Sequence, residues 1–566
     1  MAPATTSSVF VPVQNDEPIL VDDAAVGSLV LDSDATVDLG GFSLSVAGDV
    51  DAAGAIVNGL LVLSAGGTLL EGNVDDVRID VNRNLSSTLV TAGQLTLNNA
   101  DLTLNGQSVV VGGDFMLSGP NAQLRMLNAA DVMQVSGSAT FDGGSHINQL
   151  TQGTLTISGD LDATASSTTS FLGQTGHTVV FNGAGPQTVT FTTPGTTLQR
   201  FQNVRFEGTG GVTFASDVAA TGTFEVVTGS TVDASDDVVS ISGAFIDPVN
   251  GMTLQQLTVT GDLTAIPASL TAQVSVEATL NLPGPLALDG DLTLNNNDVR
   301  VGAQQLDVTG DLLVTGTNAQ LVMIDVAGAV DVAGDVTFAG GTHVNQLTNG
   351  TLRVGGDFSA TAVSTTSFVG QTNHQMVFDG SAPQSVTLTS PGLTMQRFAN
   401  VRFEGTGAVT LLSDVVATGT LEVATGSTVD ASDDVVSISG AFLDPVNGMA
   451  LQQLNLTGNV TALPATLTAQ LSVDATVNLP NAFALTGDVT VNNSRLLIGA
   501  NQMDVTGDFT VTGSSGLLTM VNAASTLNVT GDATFAGGSH VNQLTNGTFR
   551  VGGDFSATAA STTSFV

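Results

Sequence analysis

Short runs of alternating apolar and polar residues follow one another along most of the chain, and many of them end at a Gly-Asp pair. In the run LDVTG, Leu306 and Val308 alternate with Asp307 and Thr309. Because successive side chains of a β-strand point to opposite faces, the apolar pair is predicted to face the core and the polar pair the solvent. The pattern therefore predicts short strands that are buried on one face only.

The spacing of the Gly-Asp pairs distinguishes two all-β architectures. Asp311, Asp335 and Asp357 follow one another at nearly equal intervals. Separate β-sandwich domains would need hairpin turns, whereas Asn-Gly hairpin signals are few here and no linker interrupts the pattern. A regular interval of this length is typical of a solenoid, in which each turn stacks on the preceding one. We therefore predict an all-β, elongated parallel β-helix, or β-solenoid, with about 22 residues per coil.

A longer repeat is superimposed on the coils. The stretch GGSHINQLTQGT begins at Gly143, and close copies begin at Gly340 and Gly537, 197 residues apart each time. We place solenoid units at 22–216, 217–413 and 414–566, of which the first is diverged and the third incomplete. At about 4.8 Å between strands and about nine coils per unit, they are expected to form one continuous rod of about 120–130 Å.

The N-terminal segment, residues 1–21, matches no repeat and is interpreted as a cap, a linker or a docking strand. Val9, Val11 and Val13 alternate within it and predict one short strand. It has neither a basic region nor a hydrophobic core typical of a signal peptide. The third unit stops part-way through, so either the sequence is a slice of a longer protein or chains associate end to end through unpaired strand edges.

Composition supports the β prediction and removes several functional classes. Of 566 residues only 11 % are charged, there is no Lys, Cys, Trp or Tyr, and the net charge is −40. The scarcity of Glu, Lys and Arg argues against solvated helices. It also argues against nucleic acid and anionic membrane surfaces as partners, because both are bound by clustered basic residues. No disulfide or cysteine-based metal site can form, and no apolar run is long enough to insert into a membrane as a helix.

Three segments of the chain read VVFNGAGPQTVTF, MVFDGSAPQSVTL and LQRFQNVRFEGTGGVTF. Such segments resemble the β-helical passenger and stalk regions of secreted bacterial adhesins and surface proteins, such as filamentous haemagglutinin and autotransporter passengers. The resemblance extends from about residue 20 to the end of the chain, and no secretion-domain signature accompanies it. It implies a β-helical fold and a location outside the cell or on a bacterial surface.

The histidines form two sets that recur with the long repeat: His146, His343 and His540, and His177 and His374. Copies in different units are expected to lie about 43 Å apart, too far to share a metal ion. No His-x-His spacing supplies further ligands. We interpret all five as solvated or turn-packing residues, with no catalytic or cofactor-binding role.

Calcium is the cofactor that the acidic residues could bind. The motif VDASDDVV and its copy place three acids close together, and Ca²⁺ prefers oxygen ligands at such turns; the candidates are Asp233, Asp236, Asp237, Asp430, Asp433 and Asp434. A solvated polar corner is the alternative interpretation, because the motif matches neither an EF-hand loop nor a calcium-binding β-roll. The aspartates of the Gly-Asp pairs are interpreted as structural, with the carboxylate accepting backbone N–H groups.

Charged pairs and loops give little support to an enzyme. Alternation places Arg205 beside Glu207 and Arg402 beside Glu404, which predicts surface ion pairs. Polysaccharide-active β-helix enzymes need a basic residue or paired carboxylates in a cleft built by inserted loops, and this chain has no long insertion unique to one coil. An ice-binding face would need Thr-x-Thr rows once per coil, and the Thr-rich pieces appear only once per unit. We therefore predict no enzymatic activity.

The resulting hypothesis is a structural one. The chain is predicted to be a stalk or filament-forming repeat region of a bacterial extracellular or cell-surface protein, whose partners are itself or the surface matrix. The alternative is an adhesin that binds a glycan or host protein on a solenoid face. A polysaccharide-active enzyme is the remote alternative.

Overall fold

The computed structural model describes residues 7–13, 17–66, 69–559 and 562–566, and within these ranges it contains β-strands and no helix. The predicted all-β parallel solenoid is confirmed, with about 27 turns over the described residues. The chain divides into two compact units, Met1–Val274 and Ser275–Val566. In the described part, no helix is long and apolar enough to cross a membrane.

The first unit is built from short strands connected by tight corners. Its strands are Ser8–Val11, Ala24–Val26, Ser28–Leu31, Thr36–Asp38, Ser43–Val46, Val50–Leu63, Leu69–Ile79, Arg83–Asn84, Leu89–Thr91, Leu95–Asn98, Asp101–Thr103, Ser108–Val111, Phe115–Ser118, Gln123–Arg125, Val132–Val135, Ala139–Asp142, Thr154–Ile157, Leu161–Ala163, Thr178–Phe181, Gln187–Phe191, Asn203–Phe206, Val212–Phe214, Val218–Ala220, Thr223–Val226, Val232–Ile241, Ala244–Ile246, Met252–Val259 and Ser269–Thr271. The strand Gln273–Val276 contains the boundary between the units.

The second unit continues with the same kinds of strand. These are Leu280–Asn281, Leu286–Asp289, Leu292–Asn295, Asp298–Arg300, Gln305–Val308, Leu312–Thr315, Gln320–Val322, Ala329–Val332, Val336–Phe338, Thr351–Val354, Phe358–Ala360, Gln375–Phe378, Gln384–Leu388, Asn400–Phe403, Val409–Leu411, Val415–Ala417, Thr420–Val423, Val429–Ile438, Ala441–Leu443, Met449–Leu456, Thr466–Thr468, Gln470–Val473, Val477–Asn478, Phe483–Thr486, Val489–Asn492, Arg495–Leu497, Gln502–Val505, Phe509–Thr512, Leu517–Thr519, Thr526–Val529, Ala533–Phe535, Thr548–Val551 and Phe555–Ala557.

One coil consists of three strands on three faces, as in Gln305–Val308, Leu312–Thr315 and Gln320–Val322. Each strand pairs in parallel with its counterpart in the next coil, so Leu306 lies on Val330 and Val330 on Leu352. The intervals between these partners match those between the Gly-Asp pairs, which confirms the predicted coil length. Leu306 and Val308 are 1 % and 2 % exposed, so the predicted faces of this strand are also confirmed.

The strand predicted near the N-terminus is present as Ser8–Val11. It pairs in parallel with Ser28–Leu31, placing Val9 on Leu29 and Val11 on Leu31. Val13 lies beyond the end of this strand and is 55 % exposed.

Glycine is required at the Gly-Asp corners because the backbones of successive coils touch there. The N–H of Gly334 donates to the carbonyl of Gly310 at 3.1 Å. A Cβ on Gly334 would lie 2.5 Å from that carbonyl oxygen and 2.3 Å from Oδ1 of Asp311. Such distances are far below van der Waals contact, so any larger residue would separate the coils.

Within the second unit the long repeat does not contain a whole number of coils. Five coil steps lead from Leu292 to Leu411 on one face. Four more lead from Val415 to Val489 on the next face of the solenoid. The strands ending at Leu411 and starting at Val415 are consecutive in one coil. Leu292 and Val489, which occupy equivalent positions in successive repeats, are therefore separated by nine coils and one further face, a third of a turn.

Candidate functional site

The histidine of the most similar stretch in each repeat joins three successive coils. Nε2 of His146 accepts a hydrogen bond from the backbone N–H of Leu124, one coil earlier, at 3.1 Å. Its own backbone N–H donates to the carbonyl of Thr169, one coil later, at 2.8 Å. His343 and His540 make the same Nε2 contact, at 3.0 and 2.9 Å. Because Nε2 is the acceptor, the neutral ring carries its proton on Nδ1.

Burial keeps these rings neutral. His146 and His343 are 0 % exposed, and Nδ1 of each has no hydrogen-bond partner of normal geometry. Loss of solvation lowers the pKa of each to about 4, although nearby backbone groups oppose the shift. Burial also lowers the pKa of His540.

A second histidine lies close to the first in two of the repeats. His177 and His374 are 0 % exposed, and in the described structure neither ring nitrogen of either side chain has a hydrogen-bond partner. Burial, together with a smaller contribution from repulsion by the charged form of His146 or His343, lowers the pKa of each to about 3. Within one repeat, one histidine of each set therefore lies near the other in the folded structure.

Phenylalanine rings enclose these histidines. The ring centroids of Phe141 and His146 are 5.3 Å apart in an edge-to-face arrangement. Phe171 lies 4.9 Å from Phe141 and 6.2 Å from His177, again edge to face. Such contacts stabilise a packed apolar core. The solvated interpretation of the histidines is therefore wrong, because all five are buried between coils; what remains of the prediction is that they pack beneath turns.

The aspartates of the Gly-Asp corners form columns that link one coil to the next. Oδ1 of Asp291 accepts the N–H of Asp311 at 2.9 Å, and Oδ1 of Asp311 accepts the N–H of Asp335 at 2.8 Å. Asp335 accepts the N–H of Asp357 in the same way, at 2.7 Å. The predicted structural role is confirmed, but the bonded N–H group lies in the following coil and not in the aspartate's own turn. Asp488, Asp508, Asp532 and Asp554 form a second column with the same contacts.

The calcium candidates lie at bends of two long strands, Val232–Ile241 and Val429–Ile438. Asp233 accepts the N–H of Ser235 at 3.1 Å, and Asp236 is exposed. Asp237 is half-buried, and burial together with the charges of Asp217, Asp236 and Asp233 raises its pKa. Asp217 was missed because it lies on the preceding coil.

The second copy has the same arrangement. Oδ1 of Asp430 accepts hydrogen bonds from the backbone N–H and the Oγ–H of Ser432 at 3.1 and 2.7 Å. Asp433 is exposed, and the pKa of Asp434 is raised by burial and neighbouring acids. Over the residues with described coordinates, no group of three or more Asp, Glu or His side chains is arranged to hold a metal ion.

The predicted ion pairs are present and extend across several coils. Arg205 lies 2.9 Å from Glu207, and Arg402 lies 2.7 Å from Glu404. Glu404 also bonds Arg353, two coils earlier, at 2.7 Å. These side chains are 25–44 % exposed, so their contribution to stability is small.

Two surface grooves in the first unit are shallow and are lined mainly by uncharged residues. One of about 540 Å³ runs beside Gly210, Thr231 and Thr253, with Asp233 as its one charged lining residue. Another, of about 290 Å³, is bounded by Pro248, Pro267 and Asp247. Neither lining contains a basic residue or a histidine.

Comparisons with known proteins give no functional assignment. No protein-family model matches the chain, and neither a curated protein nor a solved structure matches it.

Proposed function

We propose that this chain is a structural stalk or filament-forming repeat region of a bacterial extracellular or cell-surface protein. The observation that carries the proposal is that the side chains that join one coil to the next, namely the first set of histidines and the corner aspartates, are duplicated with the repeat. The Nε2 contact of His146 recurs at His343 and His540, with lengths of 3.1, 3.0 and 2.9 Å. The Asp columns recur in the same way. Duplicating such units lengthens the stack without creating a new site, which is what a spacer requires.

The rotation of the repeat favours a spacer over the adhesin alternative. An adhesin that binds a surface through repeated contacts needs those contacts on one side. In the second unit, equivalent residues of successive repeats lie on adjacent faces, as Leu292 and Val489 do. Each copy of a glycan-binding feature would therefore lie on a face rotated by a third of a turn from the face of the preceding copy. The proposal accordingly assigns neither catalysis nor a glycan site to the chain.

Deletion of one repeat tests the proposal. Removing residues 217–413 joins two homologous positions and removes about nine and a third coils, or about 45 Å at the spacing of stacked strands. We expect the variant to keep its β-sheet circular dichroism and to appear in electron micrographs as a rod shorter by that length. Removing residues 304–413 is the control, because it places Val415–Ala417 directly after Asp298–Arg300, which lies on the same face, so the coils on either side should not stack. An in-register variant that unfolds, or whose length is unchanged, would contradict the proposal.

The cellular location needs a separate test. Antibody labelling of intact cells that express the native protein should detect it at the surface or in the medium. Labelling that requires permeabilised cells would exclude the proposed location.

A further inference from the structure

We propose that Asn349 is a site of spontaneous deamidation, and that buried side chains protect four other Asn-Gly pairs of this chain from the same reaction. Seven Asn-Gly pairs occur in the sequence. Such pairs are prone to deamidation because glycine has no Cβ to hinder ring closure. This modification is independent of the structural role proposed above.

Deamidation starts when the backbone nitrogen that follows an asparagine loses its proton and attacks Cγ of the side chain. The N–Cγ bond forms, the Cγ–Nδ2 bond breaks, and the side-chain nitrogen takes up a proton and leaves as ammonia. A five-membered succinimide ring remains, and water opens it at one of its two carbonyls to give aspartate or isoaspartate. A contact that holds the proton on the glycine nitrogen therefore slows the first step.

In four of the pairs the glycine N–H donates to the oxygen of a buried side chain. These acceptor side chains are 0–5 % exposed, whereas the asparagines of the same pairs are exposed to solvent. Burial of the asparagine therefore does not protect these pairs, and the bond to the glycine N–H supplies the protection. The four bonds join Gly106 to Asp131, Gly183 to Gln187, Gly251 to Asp247 and Gly448 to Asp444.

Asp247 and its copy Asp444 each hold two backbone N–H groups. Oδ1 of Asp247 accepts the N–H of Gly251 at 2.8 Å, and Oδ2 accepts the N–H of Met252 at 3.0 Å. The corresponding bonds of Asp444 are 2.7 and 3.0 Å long. Removing the proton from Gly251 would break a charge-assisted hydrogen bond and place a negative nitrogen beside a carboxylate. A bond of this kind corresponds to about tenfold to a hundredfold in rate.

The pair Asn349–Gly350 lacks such a bond. The N–H of Gly350 has no hydrogen-bond acceptor among the described residues. Nδ2 of Asn349 donates to the carbonyl of Ile324 at 2.9 Å, and Oδ1 accepts a hydrogen bond from Nδ2 of Asn373 at 3.2 Å. The bond from Asn373 stabilises the negative charge that develops on Oδ1 when Cγ is attacked. At this pair the attacking nitrogen is unbonded and the attacked carbonyl is polarised.

The two remaining pairs lie in the third repeat and near the N-terminus. Asn546–Gly547 is the copy of Asn349–Gly350, and its glycine N–H is also without an acceptor in the part of the chain that the structure covers. Nδ2 of Asn546 donates to the carbonyl of Val521 at 3.1 Å, so we expect Asn546 to react as well. The seventh pair, Asn58–Gly59, lies inside the strand Val50–Leu63 and has a different backbone setting.

The first repeat offers a matched position at which the asparagine is replaced. Gln152 occupies the position of Asn349, and their N–H groups donate to the carbonyls of Met126 and Met323 at 3.0 and 3.1 Å. The glycines that follow have φ values of 77° and 75°, and neither glycine N–H has an acceptor among the described residues. Glutamine would have to close a larger ring, so position 152 should stay unmodified. Gln152→Asn should therefore create a new reactive site in an unchanged loop.

Mass spectrometry of the folded full chain, kept for several weeks at mildly alkaline pH and physiological temperature, tests the proposal. Pepsin digestion followed by fragmentation locates each deamidated residue, and chromatography separates aspartate from isoaspartate. Asn349 should react at least about tenfold faster than Asn250 and Asn447 in the same molecules. In chains kept unfolded in urea the three rates should be similar, because the protecting bonds are absent there.

Substitutions at one copy of the protected corner use the other copy as an internal control. Asp247→Ala should raise the rate at Asn250 at least about tenfold and leave the rate at Asn447 unchanged. Asp247→Asn keeps a neutral acceptor and should give an intermediate rate. Ser269→Ala removes the oxygen that Nδ2 of Asn250 contacts at 2.8 Å but leaves the N–H of Gly251 bonded, so it should not accelerate the reaction.

Three outcomes would overturn the inference: equal rates at Asn349 and Asn250 in the folded chain, an Asp247→Ala variant in which Asn250 reacts no faster, or an equal acceleration in Ser269→Ala. Hydrogen exchange of peptides that contain the corner shows whether Asp247→Ala opens its coil. Where it does, Gln152→Asn decides, since that variant leaves every protecting bond in place. A residue 152 that stays unmodified in that variant would also overturn the inference.

Discussion

Replacing His177 with leucine should make the folded protein less sensitive to acid. His177 is fully buried, and neither of its ring nitrogens has a hydrogen-bond partner in the described structure. Its pKa is lowered from 6.5 to about 3, mainly by burial. The folded state therefore holds the ring neutral, while the unfolded chain binds a proton near pH 6.5. The stability that the neutral ring allows is fully present above pH 6.5 and is lost as the pH falls from there towards 3.

The size of the effect follows from this difference. At pH 5 the unfolded histidine is almost fully protonated, about 1.5 pH units below its pKa, while the folded one remains neutral. The folded state therefore loses about 2 kcal/mol per buried histidine between pH 7 and pH 5. This loss is nearly the same for any folded pKa of 4 or below, because the unfolded state alone titrates over that interval.

Hydrogen exchange measured by mass spectrometry on peptides that cover residues 139–181 is the appropriate assay. Long repeat arrays do not unfold in one step, so local opening free energies are needed. Between pH 7 and pH 5 these should fall by about 2 kcal/mol less in His177→Leu than in the wild type. His146→Leu is the control: it should reduce the pH dependence equally, but lose about 1–3 kcal/mol at pH 7 because the N–H of Leu124 loses its acceptor. Equal losses in wild type and His177→Leu would refute the reasoning.

Three further predictions concern contacts between coils, and each is tested by the local opening free energy from hydrogen exchange. Gly334→Ala should destabilise its coil by about 1–3 kcal/mol because the new Cβ lies 2.5 Å from a carbonyl oxygen. Gly284→Ala is the control, because a Cβ at that position has no atom of another coil within 4 Å. It should change stability by no more than about 0.5 kcal/mol. Asp335→Ala should cost about 1–3 kcal/mol because it removes the acceptor of the next coil's N–H. Asp335→Asn keeps an acceptor oxygen and reduces the repulsion between carboxylates of the column at low salt. The asparagine variant should therefore be more stable than the alanine variant. Arg353→Gln should cost at most about 1 kcal/mol, and high salt should abolish the difference; a larger loss that salt does not affect would show that Arg353 contributes through packing.

The fold was predictable because its signals are local. Alternation in runs such as LDVTG assigns faces, and the Gly-Asp pairs mark the corners where successive coils touch. The partners across coils were not predictable from these signals. His146 lies in a polar stretch that is typical of a solvated turn, and its acceptor role depends on Leu124, one coil earlier in the chain. Listing the residues one coil length from each polar side chain would have revealed the pairing.

The additional third of a turn in each repeat was also not predictable from local signals. Dividing the 197-residue period by a coil of about 22 residues gives nine coils, and the remainder is less than the variation among individual coil lengths. The additional third of a turn arises where the corner sequence is not Gly-Asp. Between Leu411 and Val415 the corner is Leu-Ser-Asp, and Val429–Ile438 passes from one face to the next within a single strand that has a register shift. Because the apolar alternation continues through that shift, nothing in the pattern marks the change of face. The direction in which each repeat presents its surface is therefore set by these two irregular segments, and the 197-residue period gives only the distance between copies.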